Sequence, residues 1–167
     1  GNLRRSNMTA NLKVADILDN SFEPTTKTGD IDIILLDAPC SATGTIRRRP
    51  DILVRDSRPD LVSLQDIQLQ MLKKTLNWVK PGGQVFYATC SLEPEEGEEV
   101  VRIILHYNLA KLIPFTPQEL GIFASSLAPE GWARILPDCL TEACLDSPEA
   151  ALGNDGFFIA RLAPIAA

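Results

Sequence analysis

Apolar positions along the chain alternate between strand-like and helix-like spacing. IDIILLDAP, residues 31–39, and QVFYATCS, residues 84–91, are short continuous apolar runs, the pattern of strands covered on both faces of a parallel sheet. Between them, from Ser63, the residues Leu64, Ile67, Met71, Leu72 and Leu76, with Val79 behind them, follow helical spacing until KPGG, residues 80–83, stops the helix. A second amphipathic helix is predicted over EPEEGEEVVRIILHYNL, residues 93–109. Its acidic start suits a helix N-terminus, and Val100, Val101, Ile103, Ile104 and Tyr107 supply the apolar side. NLKVAD, residues 11–16, alternates as a short strand ending at an acid, and AKLIPF and WARILP offer two more. NDGFFIARLAP, residues 154–164, reads as an Asn-Asp-Gly turn and a terminal strand that closes an antiparallel hairpin.

Strands alternating with helices indicate an α/β layer fold, and in such folds ligands gather at the carboxyl ends of the strands. Asp16, Asp37, Cys40 and Cys90 all fall at or just past such ends, so the pattern converges four chemically capable residues on one sheet edge. With 167 residues, of which 45% are hydrophobic, the chain is long enough for one domain with its own core. Its net charge of -6 excludes a uniformly basic nucleic-acid coat, while leaving room for a local basic patch. No apolar run approaches membrane-spanning length and the first residues lack a signal-peptide core, which predicts a cytoplasmic protein. The start at Gly1 in a basic segment reads either as a processed end or as the back part of a longer protein.

The chain has 4 cysteines, none in a C-x-x-C pair, and 1 histidine, His106, so a disulfide scaffold, a His-based triad and a His-rich metal site are all excluded. Chemistry falls to Asp, Cys, Arg or Lys. Pro39 stiffens the loop after Asp37 and places a carboxylate beside a thiol. Read singly, Asp37 suits a strand-end cap and Cys40 and Cys90 suit small buried hydrophobes. Two cysteines that each follow an aliphatic strand and precede a serine are less easily explained apart. Arg47, Arg48 and Arg49 read as a solvated turn or, given their place on the loop leaving Cys40, as a grip on an anionic substrate. The acids from Glu93 to Glu99 read as a helix start and its wet face, with no metal needed; Cys139 and Cys144 read as ordinary residues.

DAPCSATGTIRRRPD, residues 37–51, with YATCSLEPEEGEEV, residues 87–100, closely resembles the RNA cytosine carbon-5 methyltransferases, in particular the bacterial 16S ribosomal RNA group known as Sun or Fmu proteins. KPGGQVFYATCS and the terminal NDGFFIARL resemble them too, whereas the poorest match, residues 137–153, is an insertion carrying Cys139 and Cys144. The resemblance implies a Rossmann-like fold using S-adenosyl-L-methionine, with RNA, in particular ribosomal RNA, as partner. It makes Cys90 the nucleophile that adds to cytosine carbon 6, Asp37 the acid at the ring nitrogen, and Cys40 the thiol that helps release the product. It also implies Asp16 at the adenine side of the cofactor, Asp37 and Pro39 beside cofactor and base, and Arg47 and Arg48 along the RNA.

The glycine-rich cofactor loop and the ribose-binding acid of the family are missing from this sequence. Residues 1–167 therefore read as a partial catalytic domain that lacks its first two strands, with weak cofactor binding and no activity alone. The strand at Ile31–Leu36 is left with an unpaired edge, which predicts self-association or altered pairing. From a different class, a noncatalytic RNA-binding or assembly module that keeps the methyltransferase scaffold fits the same residues.

Overall fold

A computed structural model gives the architecture, in which the described residues are 5–24, 29–55, 57, 59–137 and 153–165. Five strands, β1 (Ile31–Asp37), β2 (Val79–Thr89), β3 (Ala110–Leu112), β4 (Ala133–Ile135) and β5 (Phe157–Pro164), form one open sheet. The order is β1-β2-β5-β3, with β4 also paired to β5. β1 and β2 are parallel, whereas β5 runs antiparallel to β2, β3 and β4. The helices are α1 (Leu61–Trp78), α2 (Glu98–His106) and the single turn α3 (Pro117–Leu120).

α1 begins where Asp60 caps it, its carboxylate accepting from the Ser63 amide at 3.1 Å and the Ser63 hydroxyl at 2.6 Å. Leu72 and Leu76 sit in the core and Met71 packs at its margin, as the helical spacing predicts. The helix ends at Trp78, before KPGG, and Val79 is already extended and opposite Ile31. KPGG is an irregularity inside β2 rather than the stop between two elements. Gly83 makes this possible, because a Cβ there would lie 2.3 Å from Val79 Cγ1 and 2.7 Å from the Asp32 carbonyl oxygen.

The core joins the middle of the sheet to the two long helices: Val85, Tyr87, Phe158, Ala160 and Leu162 meet Leu72, Leu76, Val100, Val101 and Ile104. The Tyr87 and Phe158 rings meet edge to face, 6.2 Å between centroids.

Four further sequence-based expectations differ from the structure. β1 forms, but it is not covered on both faces: Ile33 and Leu35 are 62% and 68% exposed, while Leu36 is buried. It ends the sheet, so the aliphatic run was right about the strand and wrong about its burial in this chain. Residues 11–16 form no strand; Val14 is fully exposed, because no ladder partner lies beside the segment among the described residues. Its contacts are local, such as Lys13 Nζ over the Phe22 ring at 4.7 Å.

The helix predicted over residues 93–109 is broken into a 3-10 turn at Pro94–Glu96 and α2, separated by Gly97 (φ -121°, ψ -95°). Asn154-Asp155-Gly156 forms an irregular segment rather than a tight turn, although the strand it leads into is antiparallel as expected. Cys139, Cys144 and nearly all of the insertion lie outside the described residues. No helix among the described residues is long and apolar enough to cross a membrane.

Candidate active site

β1 and β2 end side by side, Asp37 opposite Ala88, and the hydrogen bonding continues past the strands into the loops that follow them. Ala38 N donates to the Ala88 carbonyl at 3.0 Å, Gly44 N to the Cys90 carbonyl at 3.0 Å, and Leu92 N to Thr43 Oγ1 at 2.9 Å. The two loops are thus stitched in register. Their cysteines, half-buried and free, lie with Cys40 Sγ 3.5 Å from Cys90 Sγ. Gly44 permits this approach: a Cβ there would stand 2.2 Å from the Gly156 carbonyl oxygen and 2.8 Å from that of Cys90. Gly156 N in turn donates to the Gly44 carbonyl at 2.8 Å, so the segment leading into β5 closes over the Cys40 loop. Ala42 takes the left-handed region, φ 63°, to turn that loop back.

Beneath the thiols lies a carboxylate. Glu96 is fully buried, because the break at Gly97 turns it under the loops instead of onto the wet face of a helix. Its Oε2 accepts from the Ser91 hydroxyl at 2.6 Å and from the Ser41 hydroxyl, and its Oε1 accepts from Ser41 N at 2.9 Å and Gln68 Nε2 at 3.1 Å. Gln68 Nε2 also donates to the Pro39 carbonyl at 2.8 Å, and Tyr87 donates its phenol to the Glu96 carbonyl at 2.7 Å. From the other side Arg134 donates to the Ser91 carbonyl at 2.6 Å and is held by Glu98, its Nε 2.9 Å from Oε1.

Burial pushes the Cys40 thiol up from 9.0 to about 12; the Ala42 amide opposes the shift, and the neighbouring Cys90 adds to it. Burial also raises the Tyr87 phenol, which keeps it a hydrogen-bond donor. The Arg48 guanidinium, hydrogen-bonded to Asp155, holds that carboxyl below its ordinary value.

The two thiols thus meet at the ends of two parallel strands, and comparison with known proteins gives the chain's family. The profile of the family described as 16S rRNA methyltransferase RsmB/F matches residues 1–163. The chain belongs to that family. A ribosomal RNA small subunit methyltransferase B from Erwinia tasmaniensis is 46% identical over 163 residues, 96% of this chain and 32% of the relative. The protein of the same name from Cronobacter sakazakii is 49% identical over 108 residues, 62% of this chain and 24% of its own length. The chain therefore spans about a quarter to a third of these RsmB relatives.

Among solved structures, a methyltransferase homolog protein from Pyrococcus horikoshii superposes with TM-score 0.56 and 32% identity, over 81% of this chain and 40% of the other. NSun6 from the same organism superposes with TM-score 0.67 over 99% of this chain and 38% of its own, at 24% identity, a likeness of fold.

Against this RsmB/F framework the residues expected from sequence divide. Asp37, Pro39, Cys40 and Cys90 are brought to one edge, Asp37 and Pro39 exposed on the rim and the thiols set behind them. Asp16 is not brought to a strand end. It starts an exposed turn in which its own carboxylate accepts from Leu18 N at 2.8 Å. Arg47 and Arg48 stay about half exposed but share Asp155, Arg48 Nε lying 2.7 Å and Arg47 Nη2 3.6 Å from its oxygens. Arg49 pairs with Asp51 at 3.3 Å.

Sequence reasoning missed Glu96, Gln68, Arg134 and Asp155. The serine after each cysteine was the available signal, and Glu96 was hidden among acids assigned to a wet face. For a bound S-adenosyl-L-methionine the residues present fit one side only: Asp37 and Pro39 offer an exposed rim at the end of β1, and Asp16 lies in an irregular segment. A groove of about 460 Å³ opens beside the loops, lined by Thr43, Ile46, Leu53, Leu61, Leu92 and Glu93 among others. Among the described residues no group of three His, Cys, Asp or Glu side chains is placed to hold a metal ion.

Proposed function

We propose that the chain is the nucleophile-bearing part of a methyltransferase domain that methylates carbon 5 of a cytosine in 16S ribosomal RNA, using S-adenosyl-L-methionine. The observation that carries the reading is the pair of sulfurs 3.5 Å apart at the ends of two parallel strands, in a member of the RsmB/F family.

Carbon 5 of cytosine is a weak nucleophile until a thiolate adds to carbon 6. Cys90 forms that bond, and Asp37, on the rim, acts as the acid that gives a proton to the ring nitrogen where the displaced electron pair accumulates and takes it back when the ring is restored. The cofactor, when bound, supplies the methyl group to carbon 5. Loss of the carbon 5 proton then expels the Cys90 thiolate and restores the ring. Cys40, held as a neutral thiol by burial, is suited to hydrogen-bonding the departing Cys90 sulfur at product release rather than to forming the first bond, the carbon 5 proton going to solvent water. The net change replaces a carbon-bound hydrogen with a methyl group and releases one proton. In this reading Arg47 and Arg48, which follow Cys40 on the same loop, bind RNA phosphates, each exchanging Asp155 for a phosphate oxygen. A cytosine must leave its stack to reach the thiols.

The test is a chimera in which this chain replaces the matching third of the Erwinia tasmaniensis relative. Given 16S rRNA and cofactor with a labelled methyl group, it should place the label in 5-methylcytidine on nucleoside analysis. Label on a nitrogen-methylated base, or none from a folded chimera, would refute the proposal.

A further inference from the structure

We infer that Glu96 is a positioning residue, one that fixes the separation and aim of Cys40 and Cys90 by gripping the serine that follows each, at both hydroxyls and at the Ser41 amide. The pattern of its bonds is the argument. Oε2 of one fully buried carboxylate accepts from both Ser41 and Ser91, whose hydroxyls lie 3.1 Å from each other. Those are the residues that directly follow the two cysteines. Oε1 accepts from the Ser41 amide and from Gln68 Nε2, and the same Gln68 nitrogen reaches the Pro39 carbonyl. Cys40 is therefore pinned before and after itself, at the Pro39 carbonyl by the Gln68 amide and at Ser41 by Glu96, in one hydrogen-bonded network that also pins Ser91.

A fold-stabilising role alone does not account for this choice. A buried carboxylate is costly, and an apolar side chain of similar volume would pack the same space at least as well. What the carboxylate adds is direction, since its two oxygens reach both loops; Thr43 Oγ1 also meets both serines, at 3.5 and 3.3 Å, but these contacts are longer and Thr43 is carried on the Cys40 loop itself. Glu96 is also carried on neither loop's own strand. It sits in the 3-10 turn before α2, set off from that helix by Gly97, and the Tyr87 phenol holds its carbonyl from β2. The spacing of the sulfurs is thus referred to a third element anchored in the core. Groups that must meet one small ring tolerate little displacement, so a grip of this kind has a catalytic consequence. That consequence rests on the reading of Cys90 and Cys40 given above; the sulfur spacing does not.

The experiment separates the two. Phenylarsine oxide condenses with two thiols only a few ångströms apart, forming two As–S bonds and releasing one water. Its affinity is measured on the full chain carrying Cys139→Ser and Cys144→Ser, so that Cys40 and Cys90 alone remain. This background should capture the arsenical tightly. Glu96→Ala should weaken capture at least tenfold and Ser91→Ala by less, with Glu96→Gln read in parallel should the alanine variant fail to fold. Val101→Ala, a core truncation in α2 that takes no part in the cluster's hydrogen bonds, should leave capture unchanged.

Wild-type capture by a folded Glu96→Ala or Glu96→Gln would overturn the inference. So would an equal loss in Val101→Ala, or failure of the background protein to capture at all. If capture behaves as stated while the chimera makes no 5-methylcytidine, the clamp stands and the proposed reaction falls.

Discussion

Alkylation of Cys40 should keep accelerating with pH well beyond the range in which an ordinary thiol has levelled off. Only the thiolate attacks iodoacetamide, so rate follows the thiolate fraction. Burial raises Cys40 from 9.0 to about 12, so at pH 9 roughly one part in a thousand is thiolate, against about half for an unperturbed thiol. Burial also slows access, which is why the shape of the profile, rather than the absolute rate, is diagnostic. The chain is pulsed with iodoacetamide between pH 7 and 10.5 and the Cys40 peptide quantified by mass spectrometry, with the urea-unfolded chain as reference. The native rate should rise about tenfold per pH unit throughout, while the unfolded rate flattens near pH 9. The same group destabilises the fold in alkali: with its folded value above its unfolded one, its contribution is complete below about pH 9 and is lost as pH rises toward 12. A native profile that levels below pH 10 would refute the desolvation argument, and with it the assignment of Cys40 as the neutral thiol of the pair.

Asp155→Asn should free Arg47 and Arg48 for phosphate, tightening RNA binding and steepening the plot of log affinity against log salt by about 1; an unchanged slope would show that the arginines do not reach RNA. Gly44→Ala should cost at least about 1–3 kcal/mol in urea unfolding, because its Cβ would stand 2.2 Å from the Gly156 carbonyl and backbone has to move; a smaller loss would mean the loops are not closely apposed. Tyr87→Phe should cost about 1–2 kcal/mol by stripping the buried Glu96 carbonyl of its donor, with equality to wild type counting against that bond. Ile33 and Leu35 on the bare face of β1 should make the chain associate in sedimentation, and Leu35→Lys should lower the mass; a monomer at all concentrations contradicts this.

Periodicity revealed the elements whose signal is local. β1, α1 and β2 follow from continuous or helically spaced apolar runs, and the convergence of Cys40 and Cys90 follows from two parallel strands ending together. What was not legible depended on partners distant in sequence. The aliphatic run of β1 carries the pattern of a central strand, yet among the described residues nothing covers its outer side, so Ile33 and Leu35 are bare. The same lack undoes the strand expected at residues 11–16 and leaves Asp16 away from the edge.

Glu96 could not be told from Glu93, Glu95 or Glu99 by spacing, because the one feature that separates it is the break at Gly97 that turns it inward. Asn154-Asp155-Gly156 has turn composition but a different use: Gly156 lets backbone meet backbone at Gly44, and Asp155 pairs with two arginines that the family resemblance placed along RNA.

The central claim is that these thiols act on one pyrimidine in different roles. It is tested most directly by trapping: RNA containing 5-fluorocytosine, in which fluorine blocks the final proton loss, is incubated with the chimera and cofactor, and the cross-linked peptide is sequenced. The account predicts that the nucleotide is found on Cys90, that Cys90→Ala abolishes the adduct, and that Cys40→Ala retains it. An adduct on Cys40 that survives Cys90→Ala would contradict it.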